Sequence, residues 1–400
     1  MPPPFSMSWL SGAAGPALRR AVRRLRGLNE RCVELPPAAS ASPRGRVLLS
    51  YIVDAVLVRT ERDLPHSHPH FWETWAMAQA FREEGYAVDV IHWTRRGPLP
   101  RTDYDIYVDV RRNFDRYAAQ LPSSCLKIAH MDTAHHLVHN GNQQRRLDDL
   151  RQRRGIALAP FKQIEANRAA ENADLITVLG NEFTIESFAF AGKPIRRIRL
   201  SNAFEYPFPD GRDLAAARRR FLWLGSEGFV HKGLDLVLEA FAGLPDLHLT
   251  VCGPIEREPA FRKAFADLLY RTPNILTAGW VDVAGPRFRE LALECLAMVY
   301  PSCSEGGGGC VLTAMHAGLI PVVTREASVD IAPDRGVALP DASVESIRTA
   351  VLNLSAAPPA DLEAMARAAW TWAREFHTRE RFFREYRAFV RELDSFRKKG

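Results

Sequence analysis

The chain has 400 residues, 46% of them hydrophobic and 25% charged, and a formal net charge of +6. That length exceeds one ordinary core and implies two domains with additions; the composition is that of a globular protein in water, with no run of ~18 apolar residues to cross a membrane. Residues 1–45 hold seven Arg and two Glu, so +5 of the net charge lies there and +1 on the remainder, whereas a nucleic-acid-binding protein would carry its positive patch on the folded domain; no nucleic acid is expected as a partner.

Residues 1–16 are rich in Pro, Ser and Gly and read as disordered. They lack the order of a signal peptide, because the arginines follow Trp9-Leu10 instead of preceding an apolar core. From Ala17 to Leu35 a helical pattern sets Leu18, Val22, Leu25 and Leu28 on one stripe, with Arg19, Arg20, Arg23, Arg24, Arg26 and Arg31 around it. Two readings stay open: a basic amphipathic helix on an anionic membrane surface, or a helix docked on its own protein with a solvated basic face. Pro36 to Pro43 reads as a linker. The six cysteines, Cys32, Cys125, Cys252, Cys295, Cys303 and Cys310, form no C-x-x-C pair. They read as reduced and mostly buried, the usage of a cytosolic protein.

Arg46 to Val53 reads as the first strand of a parallel sheet. A helix is expected from His70 to Gly85, with Phe71, Trp75, Ala78 and Phe81 on one face. Strands follow at Ala87 to His92, Tyr104 to Val110 and Leu126 to His130, then a helix from about Phe161 to Asn172, and strands at Leu175 to Leu179 and Ile195 to Leu200. The alternation restarts at Phe221 to Gly225. Strands at Leu247 to Cys252 and Ile275 to Trp280 then alternate with helices at Gly233 to Leu244, Pro259 to Tyr270 and Arg287 to Leu296. After the stretch described next come a strand at Gly336 to Leu339, a helix at Val344 to Leu354, and helical sequence over most of Ala360 to Phe396. Strands alternating with helices in two runs predict two doubly wound α/β domains.

The stretch Met298 to Glu326, MVYPSCSEGGGGCVLTAMHAGLIPVVTRE, organises the second run. It reads as strand, glycine loop Gly306 to Gly309, helix Cys310 to Ala317 and strand Ile320 to Thr324, a βαβ unit. Glycines let a backbone approach a ligand closely. The helix start offers unpaired N–H groups and a positive dipole end, so a phosphate or diphosphate fits there; a plain surface loop is the alternative. Neither G-x-G-x-x-G nor G-x-x-x-x-G-K-[ST] occurs at this loop. A second loop, Leu224 to Asp235, puts Lys232-Gly233 at a helix start, where an ammonium could meet a phosphate or simply be solvated.

This wording resembles the donor-binding motif of the family 4 (group 1) glycosyltransferases, carried here by Pro301, Ser302, Glu305, Gly306, Ala314, Met315, Ala317, Gly318, Pro321, Val322 and Val323. The family's second Glu is Thr313 in this chain. In the loop before it, Gly225, Lys232 and Gly233 match a Gly-Arg-x-x-x-x-Lys-Gly pattern, but Ser226 replaces the Arg. The resemblance implies an α/β chain of GT-B fold: two Rossmann-like doubly wound domains facing across a cleft, with the C-terminal helix crossing back to the first. The expected divisions are an arm at 1–45, an acceptor domain at 46–202, a donor domain at 203–375 and the crossing helix at 376–400.

By the same resemblance the substrate is a nucleotide-diphosphate sugar, transferred with retention to a glycan or lipid-linked acceptor. No metal or other cofactor is expected. Donor contacts would come from Gly225, Ser226, Lys232, Gly306, Gly307, Gly308, Gly309, Cys310 and Thr313, and Glu305 would hold the donor sugar's hydroxyls. His130, in a segment similar to the family's Val-His-Asp, or His135, would touch the transferred sugar. Read from the residues alone, both histidines could equally be core or surface groups, and the i,i+4 pair His135 and His139 lacks a third metal ligand. Asn202 follows the strand Ile195 to Leu200 where the family often has a hinge; it could hydrogen-bond across the cleft or merely make a turn. Ser226 and Thr313 together motivate a rival reading, a GT-B protein that binds without catalysing. The enzyme would be cytoplasmic, held to the inner face of the membrane if the arm binds lipid.

Overall fold

The computed structural model describes residues 27–39, 43–66 and 68–396. Two sheets divide the chain. The first takes β1 (Cys32–Leu35), β2 (Gly45–Tyr51), β3 (Tyr86–His92), β4 (Ile106–Asp109), β5 (Leu126–Met131), β6 (Leu175–Val178) and β7 (Ile195–Arg197), in the order β1-β3-β2-β4-β5-β6-β7. The second takes β8 (Arg220–Leu224), β9 (His248–Cys252), β10 (Ile275–Gly279), β11 (Ala297–Tyr300), β12 (Ile320–Val323) and β13 (Val337–Ala338), in the order β10-β9-β8-β11-β12-β13. Every neighbouring pair is parallel except β1 with β3. Helices cover both faces, so central strands such as β3 and β11 are buried at every position, as a parallel sheet requires.

Three elements depart from the sequence reading. The helical pattern begun at Ala17 falls mostly on residues outside those described, but its end is not helical: Cys32–Leu35 pairs antiparallel with β3, and Val33 and Leu35 pack on the core. Their period-2 alternation, not the leucine stripe, decides the local structure. The helix expected from Phe161 is confined to Ala169–Asn172, and residues 155–168 form a largely irregular strap. That strap bonds sideways: Asn140 accepts from Ile164 N and donates to Ile164 O, both at 2.9 Å. Thirdly, a long helix, His136–Arg154, stands where no helix was expected. Its buried residues are His139, Gln143, Arg146, Leu147 and Leu150, so its inward face is mostly polar and gives no apolar period to read.

Helices that position the site are numbered here: α1 (Pro69–Glu83), α2 (His136–Arg154), α3 (Leu234–Ala242), α4 (Gly309–His316), α5 (Pro359–Phe376) and α6 (Arg379–Glu392). The polar face of α2 meets the second half of the chain. Arg146 Nη2 donates to Pro301 O at 2.7 Å, Asn142 Nδ2 to Cys303 O at 2.7 Å, and Arg153 Nη2 pairs with Asp235 at 2.8 Å. The chain end closes the pair of sheets from the other side. On α6, Phe382 packs edge-on against Trp72 of α1 at 6.1 Å and Tyr386 against Phe81 at 6.0 Å. Between α5 and α6, His377 bonds Leu200 O through Nδ1 at 2.8 Å. No helix among the described residues is long and apolar enough to cross a membrane.

Candidate active site

A cavity of about 610 Å³ opens where the carboxyl ends of the two sheets face each other. Residues directly after strand ends line it: Arg111 after β4, Asp132 after β5, Gly225 after β8 and Gly253 after β9. Ligands of open parallel sheets bind outside strand carboxyl ends.

The loop after β11 carries the acidic group. Glu305 Oε1 accepts hydrogen bonds from Tyr300 Oη at 2.7 Å and Ser302 Oγ at 2.9 Å, and lies 3.5 Å from Lys232 Nζ. Burial opposes its charge, but Lys232 and Lys162 hold its carboxyl well below the usual carboxylate range. Glu305 is therefore an anion whose oxygens are already directed. The four glycines follow. A Cβ on Gly306 would stand 1.9 Å from Asp132 O, so this loop can touch the first half of the chain only as glycine. Gly308 caps α4 at φ 60, a left-handed backbone that favours glycine. The N–H groups of Gly307, Gly308, Gly309 and Cys310 find no backbone acceptor among the described residues. Free N–H groups at a helix start beside a cation are an anion site.

The loop after β8 supplies the cation. Gly233, at φ 71, starts α3 and lies against Pro301, which turns Lys232 inward with only 4% of its surface exposed. Burial penalises its charge, yet Glu305 raises its pKa. A second ammonium stands beside it, that of Lys162. Lys162 comes from the strap on the first half and passes over Gly228, where a Cβ would be 3.2 Å from its Cδ. Burial and then Lys232 press its pKa down to about 8. His139 and His231 complete this wall. His139 Nε2 donates to Lys162 O at 2.8 Å, and His231 Nε2 to Ser304 O at 2.6 Å; burial takes their pKa values down to about 4 and about 3, so both rings are neutral.

The opposite wall holds His68, His70, Arg111 and Asp132. Arg111 pairs with Asp132. His70 Nδ1 bonds Glu73 at 2.7 Å, and fully buried Glu73 also accepts from Ser201 N at 2.7 Å.

The structure brings Gly225, Ser226, Lys232, Glu305, Gly306 to Gly309, Cys310 and Thr313 into one cavity. It does not bring His130 or His135 there. His130 is fully buried inside β5, with Nδ1 on Thr177 Oγ1 at 2.7 Å and its ring edge-on to Tyr51 and Tyr386. His130 stands within β5 and packs into the core, while Asp132, just past the last residue of that strand, reaches the cleft. His135 precedes α2 and packs against His136, Phe188 and Phe190. The histidines that do line the cavity are His66, His68, His70, His139 and His231. Asn202 bonds across to the second half: its Oδ1 accepts from Thr313 Oγ1 at 2.9 Å, and its Nδ2 turns back to Phe204 O. The residue that sequence reasoning missed is Lys162. The one sign of it was the absent Arg at Ser226, which leaves a charge to be supplied from elsewhere. Among the described residues no group of three or more His, Cys, Asp or Glu could hold a metal ion.

Comparison with known proteins sharpens this geometry. Residues 218–357 match the family model of the glycosyl transferases group 1. That stretch resembles a group 1 glycosyltransferase domain. The whole architecture is GT-B. Sucrose-phosphate synthase from Thermosynechococcus elongatus superposes with a TM-score of 0.61 at 14% identity, covering 88% of this chain and 100% of that one. The lipopolysaccharide outer core galactosyltransferase WaaB, in its apo form, gives 0.60 at 11%, covering 86% and 99%. Anabaena HepE in complex with UDP and glucose gives 0.54 at 11%, covering 88% and 100%. No curated protein matches the sequence. At these identities the structural likeness establishes the fold, and the group 1 match lies over the half that holds Gly225, Lys232, Glu305 and the four glycines.

Proposed function

We propose that this GT-B protein is a retaining glycosyltransferase that moves a hexosyl group from a nucleotide-diphosphate sugar to a glycan or lipid-linked acceptor. The observation that carries the reading is the buried arrangement of Lys232, Glu305 and the free N–H groups of Gly307 to Cys310 in one cavity between the domains. The donor's diphosphate would lie on those N–H groups and Lys232, and its sugar hydroxyls on Glu305. In the transfer, the acceptor hydroxyl oxygen bonds to the anomeric carbon as the bond from that carbon to the diphosphate breaks. The electron pair departs with the diphosphate, which also takes the hydroxyl proton. Donors already aimed at that developing charge lower the barrier without reorganising, and closure of the cleft keeps water from competing as acceptor. Side-chain cations take the part a metal plays elsewhere, so turnover should survive chelation.

A role in cell-surface polysaccharide or glycolipid synthesis, in the cytoplasm and at the membrane's inner face, would follow if the basic arm binds anionic lipid. The rival reading, binding without transfer, draws on Ser226 and Thr313. A panel of nucleotide sugars assayed for hydrolysis and transfer, beside thermal shifts with the free diphosphates, separates the two. A ligand at 100 times its Kd adds ~2.7 kcal/mol of stability. Transfer by the wild type supports the enzyme; a thermal shift without any turnover across the panel supports the scaffold. Neither shift nor turnover would remove both.

A further inference from the structure

We infer that Lys162 is the second diphosphate-binding cation of this site, supplied by the first domain in place of the arginine that Ser226 lacks. The inference rests on the function proposed above and adds a residue that lies outside the domain carrying the group 1 match. Three observations carry it.

First, the backbone around Lys162 is fixed. His139 Nε2 donates to its carbonyl at 2.8 Å, and Asn140 clamps Ile164 by two bonds of 2.9 Å. The strap is therefore held to α2, and α2 is held to the second domain through Arg146 and Asn142. Second, the side chain is aimed. Its stem crosses Gly228, whose φ of 92 and missing Cβ open the path, and its ammonium ends beside that of Lys232 on the cavity wall.

Third, the charges do not balance. The groups facing Lys162 are Lys232, Glu305, Cys310, Glu227, His68, His139 and His231. Glu227 is engaged by Arg257 at 2.9 Å, and Cys310 is a neutral thiol, its pKa pushed up to about 11 by burial. His139 and His231 are neutral. One carboxylate, Glu305, thus serves two ammonium groups and stands in ion-pair contact with Lys232 alone. Two adjacent cations in a part-buried cavity repel one another unless an anion with more than one negative charge lies between them. A diphosphate supplies that charge, and its oxygens accept from both.

The test uses the full chain and titrates UDP, GDP and inorganic pyrophosphate by calorimetry into wild type, Lys162→Met, Lys162→Arg and Lys232→Met. Pyrophosphate probes the charge site without regard to base. Lys162→Met should bind a diphosphate roughly 10- to 150-fold more weakly than wild type, and Lys162→Arg should recover most of that loss. Uridine and guanosine should bind both proteins alike. Circular dichroism and the melting temperature of each variant show whether it folds, and Lys162→Arg keeps the test decisive if Lys162→Met does not. If the wild type binds a diphosphate and Lys162→Met binds it equally well, the inference is wrong and the proposed function stands. If the wild type binds none of the three probes, the proposed function fails and this inference with it.

Discussion

The wall of the cleft from the second domain rests chiefly on two short segments, Gly225–Gly233 and Glu305–Cys310, each running from a strand end into a helix, with the chain after β9 and β10 beside them. The wall from the first domain is gathered from distant places: His68 and His70 at the start of α1, Arg111 after β4, Asp132 after β5, and His139 with Lys162 on α2 and its strap. In the second domain, glycine backbone and helix starts set the geometry within a few residues. In the first, the geometry depends on side chains bonding one segment to another, as Asn140 bonds Ile164. Substitutions in the two walls should therefore fail differently. Those in the second should act locally and leave folding intact; those where the walls touch should act through domain contact.

The largest expected effect tests the first half of that contrast. Lys232→Met should weaken diphosphate binding roughly 10- to 150-fold and lower kcat/KM at least as much, with little change in melting temperature. Glu305 keeps its bonds from Tyr300 and Ser302, so no carboxylate is left bare. Equal affinity in variant and wild type would take Lys232 out of the site.

Gly306→Ala tests the second half. Its Cβ would meet Asp132 O at 1.9 Å, backbone against backbone, whereas a Cβ on Gly309 would find nothing nearer than 3.5 Å. Overpacking of this kind costs ~1–3 kcal/mol. Gly306→Ala should lower the melting temperature and kcat together, and Gly309→Ala should leave the melting temperature unchanged. Equal melting temperatures for both variants would mean that the two walls do not meet there.

The same contrast marks what the sequence could tell. Most of the parallel strands were legible within a residue or two, because buried runs such as Ala297–Tyr300 and Ile320–Val323 are apolar along their whole length. The second-domain wall was legible because a loop that holds an anion needs glycines and a helix start in one stretch. Helix α2 was not, since it buries His139 on Lys162 O of the strap, Gln143 on the His231 ring and Arg146 on Pro301 O, and hydrophobic periodicity cannot register a polar interface. Lys162 was hidden for the same reason: its partners lie on α2 and on a loop some 65 residues away. His130 shows the converse error. A histidine near a strand end looked available, but His130 still lies within β5 and packs into the core, and Asp132, past the strand's last residue, faces the cleft.

A smaller effect concerns pH. Lys162 in the folded protein releases its proton near pH 8, against an ordinary lysine value of 10.5. Between those values the unfolded chain holds a proton that the folded one lacks, so this group's contribution to stability rises with pH through that window. Its penalty is complete below about pH 8. Without ligand, Lys162→Met should therefore melt a few degrees above wild type at pH 7, and the gap should narrow from pH 8 towards 10. Calorimetric scans across that range give the sign directly. A gap that is absent at pH 7, or that widens with pH, would show that the ammonium is well solvated and not confined beside Lys232.

The smallest expected effect is at Thr313, where the group 1 resemblance implies a glutamate. We propose that this position faces the nucleotide's ribose. Thr313 lines the cavity, but its hydroxyl is engaged at 2.9 Å by Asn202 Oδ1 and by Gly309 O. The domain that should meet the ribose thus uses the group to hold the linker between the domains. Thr313→Glu would give up the Asn202 bond, ~0.5–1.5 kcal/mol, and in exchange offer the ribose hydroxyls a carboxylate, whose bonds are about twice as strong as neutral ones. The net change in UDP or GDP affinity should be a gain of only a few-fold. The comparison with pyrophosphate decides its meaning. Pyrophosphate has no ribose and should bind the variant slightly more weakly, because a negative charge has been added nearby. A gain for the nucleoside diphosphates with a loss for pyrophosphate places residue 313 at the ribose. A loss for all of them would mean that Thr313 only ties α4 to Asn202, and that the nucleotide lies elsewhere along the cleft.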